Sequence, residues 1–529
     1  MKKGNIEGNT PHDLECSCSH DHGPAPGAEF ALSRRGLLRG AGYGALGALN
    51  AKAASAAGLA AASASAPLPK GVPLRVHPVL TYEIPRRQEQ NSWRSYGDLH
   101  DMDKVNEEAR RIADELKKLA SQAEFPVEFL PVTLVNSGPQ ADTALGVDCD
   151  ALLVYAAGGF QIYKLAASKM PKVVFIRHKS GPYYLWHEIA HYRLLRMNDD
   201  TFARDDVGLE DIVVDKYDEV LWRLRALYGL KNAKGTKMLA IGGLAAYSKP
   251  GQETGPGHAK EVWDYQFEIL SEADFAKRLE KNRADQSVVQ AVERRTKELL
   301  AHPNVKLATE RKFVFNSVMA LWTIKELMKE TGASNFGFAY CMQRRVISLL
   351  DTPPCLVLSI ANDEGYTAYC HTDLTHTLPG VLLHWISGKP TFVCNSHIPH
   401  DGLYTVAHCQ APRRMNGKEY EPATIMTHFE SDYGAAVKVN YTKGQVVTVI
   451  IPNFHCTKWQ GFRGKIVDTP SHPTCRSQMD IAIDGNWRKM LTNMQGFHTQ
   501  VCYGDYLREV GYALKKLKKI EWENYSESA

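Results

Sequence analysis

From residue 72 onward, short β-branched runs alternate with longer helical stretches, and few folds accept that rhythm. "LRVHPVLTY" (74–82), "VEFLPVTLV" (127–135), "ALLVYAA" (151–157) and "KVVFIRH" (172–178) have the length and composition of strands. Residues 102–122 carry helical periodicity and many charges. Strands separated by helices predict a doubly wound α/β domain with a parallel sheet, spanning 72–200. A second α/β unit is expected over 205–350. There "DIVVDKYDEVLWRLRALYGL" (211–230) turns helical in its second half, "TKMLAIGG" (236–243) ends a strand in glycines, and helices fill 258–330. Near 350 the composition changes. From "PCLVLSIANDEGYTAYC" onward, β-rich stretches such as "GAAVKVNYTKGQVVTVII" (434–451) dominate, with glycine at the turns. Residues 351–529 therefore read as a β-rich C-terminal domain closed by an amphipathic helix within 506–523. The expected class is two doubly wound parallel-sheet α/β domains followed by that β-rich domain.

A chain of 529 residues with 44% hydrophobic content has enough apolar material for several cores. Its formal net charge of +4 gives no reason to invoke nucleic acid. The start of the chain is read as an address rather than as fold. "SRRGLLRG" (33–40) has the form of a twin-arginine export signal, followed by an Ala/Gly stretch and "ASA" at 64–66. Asn50 and Lys52 interrupt that stretch, which argues against a stable membrane span. Residues 1–66 are thus expected to direct export to a periplasmic or extracellular location. Within them, "CSCSHDH" is read as leader rather than as a metal site. Of 11 cysteines, eight fall between Cys341 and Cys502. No CxxC pair occurs, which argues against a zinc ribbon or a thioredoxin-type site.

Two histidine-bearing regions compete for the chemistry. "YYLWHEIAHYRLLR" (183–196) contains His-Glu-x-x-His, and on a helix His187 and His191 would face one side, with Glu188 as a base. A zinc hydrolase needs a third ligand as well. Further along, polar groups gather at the ends of apolar runs, where strands hand over to loops. They are Asp363, Glu364, His371 and Asp373, then Asn395, His397 and His400, then His408, Arg413 and Arg414, then His428 and Glu430, and finally His498 and Asp505. Imidazole, carboxylate and amide oxygen together suit a divalent ion such as manganese, iron or zinc.

From about 72 to 520 the chain resembles the L-fucose isomerase and L-arabinose isomerase superfamily. The resemblance rests on "IVVDKYDEVLWRLRALYGLKN" from Ile212, "CLVLSIANDEG", "HTDLTHTLPGVLLHWISGKPTF", "AHCQAPRRM", "THFESDYGAAVKV" and "GFHTQVCYGDY", in that order. It implies an aldose–ketose isomerase in which a divalent metal, usually manganese, bridges two sugar oxygens and stabilises an ene-diolate. It also implies a homo-oligomer. The family's metal shell of two carboxylates and a late histidine falls on His371, Asn395 and His498, and His408 matches a further histidine used by arabinose-type members. Both carboxylates are therefore replaced here, which biases the shell toward zinc or iron. Proton transfer is left to His371, Asp373 or Glu364, and contacts to the sugar to Arg413, His428 and Glu430. A catalytically inactive sugar-binding protein on the same scaffold is the alternative, and a zinc hydrolase built on His187, Glu188 and His191 is a third.

Overall fold

The computed structural model describes residues 67–94, 99–195, 207–341 and 344–526. The export-signal reading of residues 1–66 lies outside them. Two parallel sheets come first along the chain. In the first, Leu74–Thr81 is central. On one side Ala151–Ala156, Lys172–Ile176 and Ile212–Val214 follow in order, and on the other lie Val127–Phe129 and Thr133–Val135. The single run expected at 127–135 is thus two short strands, divided at Leu130–Pro131 because proline has no N–H to give the ladder. Every residue of Ala151–Ala156 and Lys172–Ile176 is buried. Strands buried on both faces read as unbroken apolar runs, which is what the sequence shows. Helix Met102–Gln122 starts where the Asp101 side chain accepts the Lys104 N–H, and it buries Val105, Ile112, Leu116 and Leu119 at helical spacing.

The second sheet has four parallel strands in the order Thr367–Tyr369, Asn335–Phe338, Lys237–Ile241, Gln266–Leu270. Helices Lys249–Trp263, Glu272–Ala284, Gln286–Ala301 and Arg311–Thr331 lie between or beside these strands in sequence. Thr367–Tyr369 comes from sequence that reads as the start of the β-rich domain. Its neighbours there, Cys355–Asp363 and Leu374–Ser387, are helices. "CLVLSIAND" deceives because all nine residues are buried, and an apolar run without amphipathic periodicity looks the same in a core helix and a core strand.

The antiparallel part begins at Phe392–Ser396. That strand pairs with Leu403–His408 and His498–Tyr503. Leu403–His408 pairs with Ser477–Asp484, which pairs with Lys458–Asp468. Val446–Pro452 then bonds to both Lys458–Asp468 and His498–Tyr503 and closes a six-stranded barrel. Closure leaves no open edge among these strands. Tyr404, Val406, Val449, Phe462, Met479, Ile481 and Val501 fill its core. The terminal helix Leu507–Leu517 leads to Glu521–Asn524, which pairs in parallel with Lys458–Asp468. A smaller sheet joins Ala423–Met426 to Ala436–Val439 and Val305–Ala308. The protein is therefore mixed α/β with a C-terminal antiparallel barrel. No described helix is long and apolar enough to cross a membrane.

Candidate metal centre

Three loops leave the C-terminal ends of the second sheet and face the barrel. In open parallel sheets, ligands bind at that end. After Asn335–Phe338 the chain reaches Cys341, and after Thr367–Tyr369 it passes Cys370, His371 and Asp373. After Lys237–Ile241 it runs through Gly243 to Tyr247. Thr372 ties two of these loops together, its hydroxyl accepting the Ala245 N–H at 2.8 Å and donating to the Gly243 carbonyl at 3.1 Å. Gly337 lets the loop carrying His371 come close, for a Cβ there would lie 2.9 Å from the His371 carbonyl oxygen. Asp373 caps helix Leu374–Ser387. One carboxylate oxygen accepts the Thr375 N–H and the other the Tyr247 N–H, both at 2.9 Å. Capping sets the first helical turn so that His376 stands beside Asp373.

The barrel supplies the facing groups. Asn395 and His498 are direct partners across adjacent strands, so their side chains share one face. Asp373, His376 and His498 each offer a ligand atom, and these atoms lie within 4.8 Å of one another. The His376 and His498 rings are 5.0 Å apart. His376 Nε2 sits 3.3 Å from the His371 carbonyl oxygen, which can only accept, so the proton is on Nε2 and the lone pair on Nδ1. That Nδ1 is buried without a partner, as are His498 Nδ1 and Asn395 Oδ1. A buried polar atom left unbonded costs about 1–3 kcal/mol, so unbonded atoms on His376 and His498, within a group whose ligand atoms already lie close together, mark a place for a ligand. Tyr247 and Phe497 wall the site, with ring centres 5.7 and 4.1 Å from that of His498.

Burial keeps these imidazoles neutral. It pushes His376 down to about 4, with the neighbouring Asp373 opposing and His371 adding to the shift. Burial also lowers His498 well below its ordinary value, assisted by His376, His371 and His408. Neutral imidazole is the form that binds metals. Two imidazoles and one carboxylate suit iron(II), manganese or zinc, so the residues fit a divalent ion.

Sulfur adjoins this triad. Cys341, Cys370 and His371 also offer ligand atoms within 4.8 Å of one another. The Cys341 sulfur lies 4.0 Å from His371 Nε2, and the Cys370 sulfur 3.5 Å from His408 Nε2. His408 Nδ1 accepts the Cys409 N–H at 3.0 Å, so Nε2 holds the proton and donates it to the Cys370 sulfur. His408 is itself pushed down to about 4 by burial. Beyond it, Cys355 and Cys409 pack together with Cys475. His428 leans on Cys409. Burial would lower its pKa, but the bond to the Cys409 sulfur, together with the charges of Cys409, Glu430 and Cys341, outweighs that and raises it. No disulfide joins any of the nine described cysteines.

Of the residues read from sequence, His371, Asp373, Asn395, His408 and His498 converge here, with His428 at the sulfur-rich margin. The grouping differs from expectation, for His371 falls in with the cysteines while Asp373 joins the histidines. Glu364 has another position and another duty. It lies at the opposite end of Thr367–Tyr369 from His371 and is held by Arg295 at 3.1 Å and Lys325 at 2.9 Å. Arg413 is committed to structure, with Nε donating to buried Asp363 at 2.7 Å and the guanidinium over the Tyr420 ring. Glu430 is solvent-exposed, where it adds to the charge felt by His428. His376, Cys341 and Cys370 were missed. Their signals were Asp-x-x-His on the first turn of a helix, and the Cys-His and His-Cys pairs at strand ends.

The His-Glu-x-x-His segment is built differently. Its α-helix, Leu185–Ala190, stops before His191, and the chain continues as a wider π-turn over His191–Leu195. His187 stacks on His178 at 4.1 Å and bonds to the Tyr183 hydroxyl at 2.9 Å. Among the described residues, no third ligand gathers with the pair. The sequence matches no protein-family model, and no curated protein aligns with it.

Proposed function

We propose that the chain is an exported, metal-dependent sugar isomerase-like protein that moves hydrogen between C1 and C2 of an aldose. In this reading the two parallel sheets are doubly wound α/β domains of the isomerase type, followed by the β-rich domain. The observation that carries the proposal is the gathering of ligand atoms of Asp373, His376 and His498 within 4.8 Å of one another, with His376 Nδ1, His498 Nδ1 and Asn395 Oδ1 buried and unbonded. Asp373, His376 and His498 would hold a divalent ion, with Asn395 Oδ1 beside them. Such an ion, when bound, polarises adjacent sugar oxygens and makes the C–H next to the carbonyl more acidic.

The chain's own groups do the rest. The bond from His376 Nε2 to the His371 carbonyl fixes which nitrogen faces inward. Asp373, anchored by two backbone N–H groups, stays aimed. Tyr247 and Phe497 exclude water from one side. With Glu364 at the far end of its strand, His371 is the titratable group left to carry the proton. Its ring centre is 6.3 Å from that of His376 and 6.4 Å from that of His498.

The deciding experiment incubates metal-reconstituted mature protein with a panel of aldoses and follows ketose formation. Turnover of one sugar, lost in His498→Ala together with the metal, supports isomerase activity. Sugar binding by calorimetry without turnover of any aldose would favour the inactive-binder alternative.

A further inference from the structure

We infer that Cys341, Cys370 and His371 form a second metal site, one that takes a thiophilic ion of the zinc class. It goes beyond the isomerase reading, because none of that chemistry calls for sulfur. The three ligand atoms come from two loops at the C-terminal edge of one parallel sheet and lie within 4.8 Å of one another. A zinc ion with Zn–S near 2.3 Å and Zn–N near 2.0 Å needs donors about 3.3–4 Å apart, a small contraction from this arrangement. Both cysteines are buried, so neither thiolate is exposed to solvent competition.

Two thiolates and one imidazole leave a fourth tetrahedral position open, as in metal sites that bind water or a small ligand. His408 is excluded as that fourth ligand. Its Nδ1 accepts the Cys409 N–H, so Nε2 keeps its proton and donates to the Cys370 sulfur. That bond fixes the sulfur's orientation, the task a partner outside the ligand set performs in metal sites. Binding replaces the two S–H protons, which leave to solvent, and oxidises nothing. It also makes His371 a ligand and takes it out of proton transfer, so the test must read the metal and not turnover.

The probe is cobalt(II), which occupies zinc sites and reports sulfur ligation by a thiolate-to-metal charge-transfer band in the near ultraviolet. Metal-free, reduced full-length protein titrated with cobalt should develop that band. Cys370→Ser and Cys341→Ser should each abolish it, and His498→Ala should leave it intact. A parallel measurement needs no variant. Zinc should protect Cys341 and Cys370 of the wild-type protein from alkylation, read by peptide mass spectrometry, while half-exposed Cys149 reacts at the same rate with and without metal. No band, a band that survives Cys370→Ser, or Cys341 and Cys370 that react in the metal-free protein and react equally with zinc present overturns the site. So does a Cys341–Cys370 disulfide in protein purified without reductant that persists after zinc is offered. Loss of the band in His498→Ala would mean that sulfur and His498 hold one shared ion rather than two separate sites, and would also overturn it.

Discussion

Both parallel sheets carry polar groups at the C-terminal ends of their strands, yet the two edges are finished in opposite ways. At the first sheet, buried Arg177 gives Nε to Glu108 and a terminal nitrogen to Glu115, each at 2.6 Å. Tyr184 donates to Glu108, and Tyr217 to Glu115, again at 2.6 Å. Asp215 accepts the backbone N–H groups of His178, Lys179 and Ser180 and the Ser180 hydroxyl. Where the second sheet meets the barrel, three buried atoms have no partner, His376 Nδ1 just beyond the sheet and Asn395 Oδ1 and His498 Nδ1 on the barrel. A network that answers its own hydrogen bonds holds a fold together. One that leaves buried lone pairs unanswered has a stability cost that a ligand would remove.

Substitutions separate the two edges. Arg177→Leu should have the largest effect, about 3–5 kcal/mol of unfolding free energy, since it strands the buried carboxylate of Glu108 and the half-buried one of Glu115. Urea unfolding measures it, and metal content per folded chain should not change. A loss below about 1 kcal/mol would mean that the first edge is no keystone. His498→Ala should do the reverse, lowering metal affinity by on the order of 100-fold or more, since even partners outside the ligand set are worth 10–100-fold. Elemental analysis after dialysis reads this, and an unchanged metal content would break the comparison.

Acid should reach the second edge first. His376 and His408 titrate near 6.5 when unfolded and at about 4 in the fold. The unfolded chain therefore takes up more protons between those values. The stability of the metal-free protein should be complete above pH 6.5 and decline as pH falls toward 4. Burial alone would raise Asp215, but its four hydrogen bonds outweigh that and hold it well below the carboxylate range. Its contribution should survive until pH falls below about 3.8, the ordinary value. Denaturant midpoints across pH 4–8 test the order, and a flat profile would contradict it. Smallest of all, Glu364→Gln should cost under about 1 kcal/mol, since its ion pairs are half-exposed. Glu188→Gln should stay within about 0.5 kcal/mol and leave turnover untouched.

How much of this was readable depended on whether a feature was local. The strands Ala151–Ala156 and Lys172–Ile176 announce themselves because burial on both faces demands continuous apolar sequence. His371, Asn395 and His498 were legible as polar residues placed where apolar runs hand over to loops. What was hidden is three-dimensional. Nothing local in "CLVLSIAND" separates a buried helix from a buried strand. The pairing of Cys341 with Cys370, 29 positions apart, follows only from adjacency of the strands before them. Glu364 misled because one short strand, Thr367–Tyr369, sends it and His371 to opposite ends.

Seven of the nine described cysteines are buried, and they are spread along the chain from 341 to 502. Barrel strands so far apart in sequence pair late, after long loops have closed. A chain threaded unfolded into an oxidising compartment would meet oxidant while those sulfurs were still bare, with many wrong partners within reach. Closing the barrel first hides them behind packed side chains. For a chain bound for such a compartment, the burial of these sulfurs would thus set an order of events, in which folding precedes any encounter with oxidant.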